Sequence, residues 1–157
     1  MLLLSLLYTR DNFIDITYID HTEMKVFSSK NQKTGERGEV VASMFLKQRG
    51  FDIKERNYTK PWGEIDIIAE KSGVIHFCEV KTVSCKTLPL TQKDLGNVYN
   101  PGENITQTKM DRFWRTVQSY LLENELLDDT KWSIDAVLVF MEKEGKRVSV
   151  QHLDHIL

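Results

Sequence analysis

Two neighbouring apolar runs that carry acids in their middle constrain the fold of this chain most strongly. Residues 64–69 read EIDIIA and residues 74–83 read VIHFCEVKTV, and only the four residues EKSG separate them. Short apolar runs bounded by turn residues are typical of strands, and so short a connection predicts a hairpin. The first half of the second run is apolar at nearly every position, which is typical of a central strand.

The rest of the chain predicts helices around this hairpin. Helical periodicity begins near Thr34 and stops at Gly50, and a second helix follows a long polar stretch, residues 84–103, from about Asn104. The predicted strands after the first helix are residues 51–59, 64–69, 74–83, 132–140 and 147–153. Helix, three strands, helix and two strands, in that order, predict an α/β domain with helices packed on a central mixed sheet.

A chain of 157 residues fits one domain. We divide it into a loosely specified N-terminal extension, residues 1–33, and a single domain, residues 34–157. The extension contains one predicted strand, residues 13–20. An alternative is that translation begins further downstream, for example at Met24.

The apolar run at residues 2–7 lacks a basic segment before it and a small-residue cleavage site after it. It is also too short to span a bilayer. A secretory signal remains the alternative, but we expect a cytoplasmic protein without a membrane partner. The two cysteines, Cys78 and Cys85, have no CxxC spacing, and this favours a reducing compartment over a disulfide framework.

The charge is close to balanced, with a net value of -2. Residues 30–60 nevertheless hold eight basic and four acidic side chains. A local basic surface can bind nucleic acid even when the whole chain is neutral. An ordinary solvated surface is the alternative interpretation.

The acids in the two central strands suggest chemistry. Glu79 and Lys81 project from one face of their strand, and an antiparallel hairpin can bring Asp66 close to Glu79. Two nearby carboxylates repel each other unless a cation or proton lies between them, and Mg²⁺ prefers such oxygen ligands. Lys81 could then act on a phosphate, which suggests phosphodiester hydrolysis. The alternative is a strand-end Glu79–Lys81 ion pair, with Asp66 facing solvent.

Asp66, twelve intervening residues and then Glu79-Val80-Lys81 resemble the core motif of the PD-(D/E)xK nucleases, the restriction-endonuclease-like superfamily. A closer resemblance is to the bacterial YraN-like family, described as distantly related to archaeal Holliday-junction resolvases. That family's pattern is G-x-x-G-E-x-x-A, then N-(Y/W)-R-x-x-x-G-E-I-D-(L/I)-I-A, then F-(V/C)-E-V-K-T-R. This chain reads GERGEVVA, NYTKPWGEIDIIA and FCEVKTV.

The resemblance extends over about residues 34–140. It includes a lysine that opens the second helix, Lys109, and an aspartate in the next strand, Asp135. Three features depart from the pattern: Val83 stands where the family has arginine, the loop after the lysine strand is longer than usual, and residues 1–33 have no recognised counterpart.

The resemblance implies a restriction-endonuclease-like core and a Mg²⁺- or Mn²⁺-dependent endonuclease that acts on DNA, including branched or repair-intermediate DNA. It implies that Glu39 joins Asp66 and Glu79 in the metal site and that Lys81 takes part in catalysis. For Glu39, the alternative is a first-turn glutamate favoured by the helix dipole. A nucleic-acid-binding protein that keeps the fold without turnover is the alternative function.

Lys109 and Arg112 lie three positions apart on one helix face, where they could contact phosphates. A plain solvated face is the alternative. Resolvases that cut symmetrically act as dimers, so the analogy adds a homodimer to the expectations. On their spacing, His76 is interpreted as a packed core histidine, and Trp114 and Trp132 as core residues.

Overall fold

A computed structural model describes residues 7–9, 13–15, 30–89, 106–126, 129–143 and 147–156. Two helices and seven strands lie in this part of the chain. The helices are α1 (Lys30–Gln48) and α2 (Gln107–Glu123). The strands are β1 (Leu7–Thr9), β2 (Phe13–Asp15), β3 (Asp52–Lys60), β4 (Gly63–Lys71), β5 (Val74–Cys85), β6 (Lys131–Glu142) and β7 (Arg147–Leu153).

The strands form one sheet in the order β1-β2-β7-β6-β5-β4-β3. Strands β3, β4 and β5 are consecutive antiparallel neighbours. Ser72 and Gly73 connect β4 to β5 with φ angles of 53° and 76°, as a two-residue hairpin turn with positive φ at both positions requires. Strand β6 pairs with β5 in parallel, which is possible because the chain returns through α2.

The two helices cover opposite faces of the sheet. On one face, α1 packs Val41, Phe45 and their neighbours against a cluster that includes Ile67 and Cys78. On the other face, α2 packs against the neighbouring strand positions. The buried side chains of this cluster include Phe113, Val117, Tyr120 and Leu121 of α2 and Ile68, Phe77 and Ile134 of the sheet. Because neighbouring strand residues point to opposite faces, the apolar runs are buried on both sides. This is an α/β restriction-endonuclease-like core with a central mixed sheet, as predicted.

Several predicted boundaries differ from the structure. Helix α1 begins at Lys30, inside the segment predicted as an extension. Helix α2 is capped by Thr106, whose hydroxyl accepts a hydrogen bond from the Lys109 amide, whereas Asn104 lies outside the described residues.

The N-terminal strand prediction corresponds to β2, which pairs with β7; residues 16–20 lie outside the described part of the chain. The division of the chain at residue 33 stays a prediction. No helix within the described residues is long and apolar enough to cross a membrane.

Of the two tryptophans predicted as core residues, Trp132 packs against the core, and the prediction for Trp114 is wrong. Its side chain is 42% exposed, and its ring lies against that of Trp132, with 5.2 Å between centroids. It sits at the edge of the apolar stripe of α2, where the helix surface turns away from the sheet. Its helical spacing therefore predicted burial for a side chain that contacts the core only through Trp132 among the described ring contacts.

Candidate active site

Asp66 lies where strand β4 leaves its regular pairing. Towards β5, pairing is regular from Lys71 to Ile67 and stops there. Towards β3, the pairs pass from Ile67 to Ile65 and leave Asp66 out. The Asp66 carboxylate instead accepts a hydrogen bond of 2.6 Å from the backbone N–H of Val80 in β5. The side chain thus takes a backbone donor at the point where the sheet opens, and this fixes its position.

A polar cavity of about 420 Å³ occupies this opening. It lies between the first half of α1 and strands β4 and β5. Its lining consists of Thr34, Gly35, Glu39, Glu64, Asp66, Glu79, Val80, Lys81, Thr82 and Ser84. The four residues that the sequence suggested for catalysis, Glu39, Asp66, Glu79 and Lys81, therefore all border one cavity.

A glycine lets α1 approach the cavity closely. A Cβ atom placed on Gly38 would lie 1.8 Å from Oγ1 of Thr82 in β5, well inside any allowed contact. Helix α1 can therefore lie this close to β5 only because position 38 has no side chain. The next residue, Glu39, is brought to the cavity edge as a result.

The electrostatics of the cavity act against charge on Asp66. Burial and the nearby Glu79 carboxylate, with smaller contributions from Glu39 and Glu64, raise the pKa of Asp66 to about 7. The Val80 N–H opposes this rise only in part. A carboxylate with so few donors and so many acidic neighbours is stabilised in its charged form by a bound cation.

Each of the other two acids is turned towards a partner of its own. Glu79 accepts a hydrogen bond of 2.6 Å from Lys109 Nζ, and Glu39 accepts one of 2.8 Å from Asn57 Nδ2. No choice of one carboxylate oxygen from each of the described residues Glu39, Asp66 and Glu79 places all three oxygens within 4.8 Å of one another. For the three carboxylates to share one ion, at least one of these side chains has to move.

Lys81 is half-buried at the cavity wall. Within the described residues, no hydrogen bond or ion pair joins its ammonium group to another side chain, and Glu79 pairs with Lys109 instead. The simple Glu79–Lys81 ion pair that the sequence allowed is therefore not formed.

The two basic residues predicted to contact phosphates, Lys109 and Arg112, differ in their contacts. Lys109 is exposed at the start of α2 and bridges to Glu79 across the cavity edge. Arg112 is exposed one turn further along. That either residue contacts phosphates stays a prediction.

Sequence reasoning missed a buried polar cluster on the same sheet. His76 is buried as predicted, but it lies in a hydrogen-bonded group with Asp135, His152 and Ser133 rather than in an apolar core. Strand alternation places His76 and Asp135 on the face covered by α1. Only the register between β5, β6 and β7 brings them together, and that register could not be predicted locally.

Sequence comparison supplies the family. The sequence model of the Uncharacterised protein family UPF0102 matches residues 38–139, a range that includes every candidate site residue. The chain belongs to the UPF0102 family. The YraN-like resemblance noted above is therefore confirmed.

Three UPF0102 proteins illustrate the similarity. One from Helicobacter pylori (strain P12) is 36% identical over 123 residues, 78% of this chain and 92% of that protein. One from a Nitratiruptor species is 37% identical over 110 residues, 70% and 85% of the two chains. One from Campylobacter fetus subsp. fetus (strain 82-40) is 35% identical over 109 residues, 69% and 85%. The shared region is thus most of each UPF0102 protein.

Proposed function

We propose that this UPF0102 protein is a metal-dependent endonuclease that hydrolyses phosphodiester bonds in DNA, with branched or repair-intermediate DNA as its substrate class. The observation that carries the proposal is that Glu39, Asp66, Glu79 and Lys81 all border one cavity. The restriction-endonuclease-like core supports it as an analogy of fold. The alternative, a nucleic-acid-binding protein without turnover, is favoured by Val83 in the place of the family's arginine.

The donor set suits a hard divalent cation. Asp66, Glu79 and Glu39 offer only carboxylate oxygens, and the described residues that border the cavity include no cysteine or histidine. Mg²⁺ and Mn²⁺ prefer such ligands, and Mg²⁺ retains several waters. When bound, such an ion supplies a water of lowered pKa and neutralises charge on the phosphate. The raised pKa of Asp66 supports the same assignment, since a cation removes the repulsion that causes it.

The protein groups have separate tasks in this mechanism. The Val80 N–H holds the Asp66 carboxylate at the sheet opening. Asn57 orients the Glu39 carboxylate through its hydrogen bond in the metal-free protein. Lys81 projects into the cavity with its donors uncommitted to any described acid, so it can donate to a phosphate oxygen as negative charge develops there. If Glu79 bound such an ion in place of Lys109, the Lys109 ammonium group would be able to donate to a neighbouring phosphate.

Binding of DNA rests on charge near the cavity. Arg112 is exposed close to Lys109 on the side of α2 away from the apolar core, and residues 30–60 carry the local excess of basic side chains. Phosphate contacts of this kind fix the position of a duplex without reading its sequence. A homodimer would place two such cavities on one substrate, and it is part of the proposal only by analogy with resolvases.

The test is a substitution of Lys81. We expect Lys81→Met to slow cleavage on the order of 10²–10³-fold, the usual cost of removing one donor to transition-state charge. Mg²⁺ affinity should hold or rise because a nearby positive charge is removed. Cleavage is measured with Mg²⁺ and Mn²⁺ on linear, flapped and four-way DNAs, and Mg²⁺ binding is measured by calorimetry.

A matched control is Lys47→Met, because Lys47 is exposed in the last turn of α1, two turns beyond Glu39. It should cleave like the parent protein. Equal cleavage by Lys81→Met and the parent would overturn the role of Lys81. If the parent itself cleaves none of the DNAs but still binds them, the non-catalytic alternative replaces the proposal.

A further inference from the structure

A second convergent group of side chains lies away from the acidic cavity. Nδ1 of His76 in β5 and Nε2 of His152 in β7 each lie 2.7 Å from the same oxygen, Oδ2 of Asp135 in β6. The three ligand-type atoms all lie within 4.8 Å of one another. Asp135 is fully buried, and the two imidazoles are 10% and 14% exposed. The group is enclosed by protein but still reached by solvent through the histidines.

This group is distinct from the acidic cavity. His76 and Glu79 are three positions apart on β5, which places them on opposite faces of the sheet and roughly 10 Å apart along the strand. None of the three residues lines the acidic cavity.

The surroundings hold the group in place. The second carboxylate oxygen, Oδ1 of Asp135, accepts hydrogen bonds from Ser133 Oγ at 2.8 Å and from the His155 N–H at 3.1 Å. The edge of Phe51 packs against both imidazoles, with centroid distances of 4.9 and 5.3 Å. Oδ1 is thus occupied by protein donors, and Ser133 Oγ also lies 2.9 Å from Nδ1 of His76. Oδ2 contacts only the two ring nitrogens among the described groups.

We propose that His76, Asp135 and His152 form a zinc site, in which Nδ1, Oδ2 and Nε2 supply three ligands and a water supplies the fourth. Two imidazoles and one carboxylate are a donor set that Zn²⁺ takes with three protein ligands and one open position. At zinc bond lengths of 2.0–2.2 Å, tetrahedral ligand atoms stand about 3.3 Å apart. Each N–O distance, now 2.7 Å, therefore has to lengthen by about half an ångström, and the two nitrogens, now within 4.8 Å of each other, have to stand about 3.3 Å apart.

The protons balance without a change in the charge of the rings. A histidine that donates an N–H to Asp135 in the metal-free state carries its proton on the ligating nitrogen. On binding, that proton leaves the ligating nitrogen and the other ring nitrogen takes one from water, which leaves two neutral imidazole ligands. The Ser133 and His155 donors then orient the carboxylate from outside the ligand shell, as such partners do in metal sites.

Bound zinc would join the three strands β5, β6 and β7 through their side chains. An ion that binds the folded chain more tightly than the unfolded chain stabilises the fold. We expect one equivalent of Zn²⁺ to bind the untagged full chain. At about a hundredfold excess over Kd, its midpoint of thermal unfolding should rise by about 5–10 °C.

The experiment compares four proteins by zinc calorimetry, by thermal unfolding with zinc or chelator, and by the visible absorption of bound Co²⁺. The variants His152→Gln and His76→Asn place an amide N–H near the ligating nitrogen, so they keep a donor to Asp135 but lose a metal ligand. Each should bind zinc more than about 100-fold more weakly, a loss at least as large as that from removing an outer partner. All metal titrations contain excess Mg²⁺, so that the carboxylates of the acidic cavity do not take up the added zinc or cobalt. Under these conditions Asp66→Asn, which removes a ligand of that cavity, should keep the one equivalent of bound zinc that both histidine variants lose.

Stoichiometric zinc binding and a four-coordinate Co²⁺ spectrum, lost in either histidine variant and kept in Asp66→Asn, would support the site. No zinc-dependent stabilisation of the parent, or equal affinity in the parent and His152→Gln, would overturn it. Loss of zinc binding in Asp66→Asn would assign the ion to the acidic cavity instead. The parent's own Co²⁺ spectrum decides the matter even if a histidine variant fails to fold, because six-coordinate oxygen ligation would exclude the histidines.

Discussion

Asp66 and Asp135 are two aspartates of one sheet in opposite states. Asp66 has one described donor, the Val80 N–H, and three acidic neighbours, and its pKa rises to about 7. Asp135 is fully buried, which by itself raises its pKa. Hydrogen bonds from His152, His76, Ser133 and the His155 N–H outweigh burial and lower it to about 2. Burial raises the pKa of both carboxyl groups, and the number of hydrogen-bond donors decides whether that rise is overcome.

The two sites differ in the number of hydrogen-bond donors: Asp135 has four, and Asp66 has one described donor. The protein supplies Asp135 with enough donors to remain charged by itself, and this holds neighbouring strands together. It supplies Asp66 with one described donor, the Val80 N–H, and the pKa of Asp66 therefore remains raised, at about 7. Three substitutions test this contrast, in order of decreasing effect.

Asp135→Asn should have the largest effect on stability. It removes the anion that four donors surround, and we expect a loss of about 3 kcal/mol in the free energy of unfolding. Because the pKa of Asp135 is lower in the folded state than in the unfolded state, its contribution is present above about pH 4 and is lost as the pH falls towards 2. Urea unfolding in chelator at pH 7 and at pH 3 measures both effects.

The control for Asp135 is Asp154→Asn, since Asp154 is exposed, and a change within about 0.5 kcal/mol is expected there. If Asp135→Asn and Asp154→Asn unfold at the same urea concentration, the four donors around Asp135 contribute nothing to stability.

Asp66→Asn should have the opposite sign. The pKa of Asp66 is higher in the folded state, so the metal-free fold loses stability as the pH rises from about 4 to about 7. The amide cannot ionise, and the variant should gain about 1–2 kcal/mol at pH 8 in chelator, a value discounted because Asp66 is only half-buried. At pH 4 the gain should vanish. A gain of equal size at both pH values would show that charge on Asp66 is not its cause.

Added Mg²⁺ should reverse the order of the two proteins at pH 8. The parent binds the ion and is stabilised, whereas Asp66→Asn has lost a ligand. Parallel Mg²⁺ titrations of thermal unfolding at pH 8 compare them. Equal stabilisation of both proteins by Mg²⁺ would place the ion elsewhere.

Lys109→Met should have the smallest effect. It removes the partner that holds Glu79 away from the other acids. Because this ion pair is largely exposed, we expect stability to fall by less than about 1 kcal/mol. Mg²⁺ affinity should rise about fivefold, since the ion no longer competes with a lysine for Glu79. Arg112→Met is the matched control, because it removes a positive charge from the same helix without freeing Glu79. Equal gains in both variants would indicate a general effect of charge.

The parts of the fold that depend on short sequence distances could be predicted. The acid-bearing hairpin, the continuous central strand and the helix stripe follow from periodicity and turn residues, and they bring Asp66, Glu79 and Lys81 to one place. Glu39 was found through the family pattern, but the reason for its position, the missing side chain at Gly38, appears only when α1 is seen against Thr82.

The rest depends on registers between distant strands. The contact of His76 with Asp135 spans 59 residues and that of His152 with Asp135 spans 17, so no local pattern encodes their meeting. Asn57 was missed for another reason. It adopts a φ of 53° within β3, and its hydrogen bond to Glu39 arises where that strand departs from regular pairing.

The order of the strands along the chain also separates the two aspartates in biosynthesis. The described residues that line the acidic cavity all lie within residues 34–84, and in that stretch β4 pairs with β3 and β5 pairs with β4. The network of Asp135 is incomplete until His152 has been added. At a synthesis rate of about 5–20 residues per second, His152 follows Ser84 by about 3–14 s. A nascent chain thus carries every residue of the candidate active site before it carries His152, the side chain of β7 that contacts Asp135 in β6.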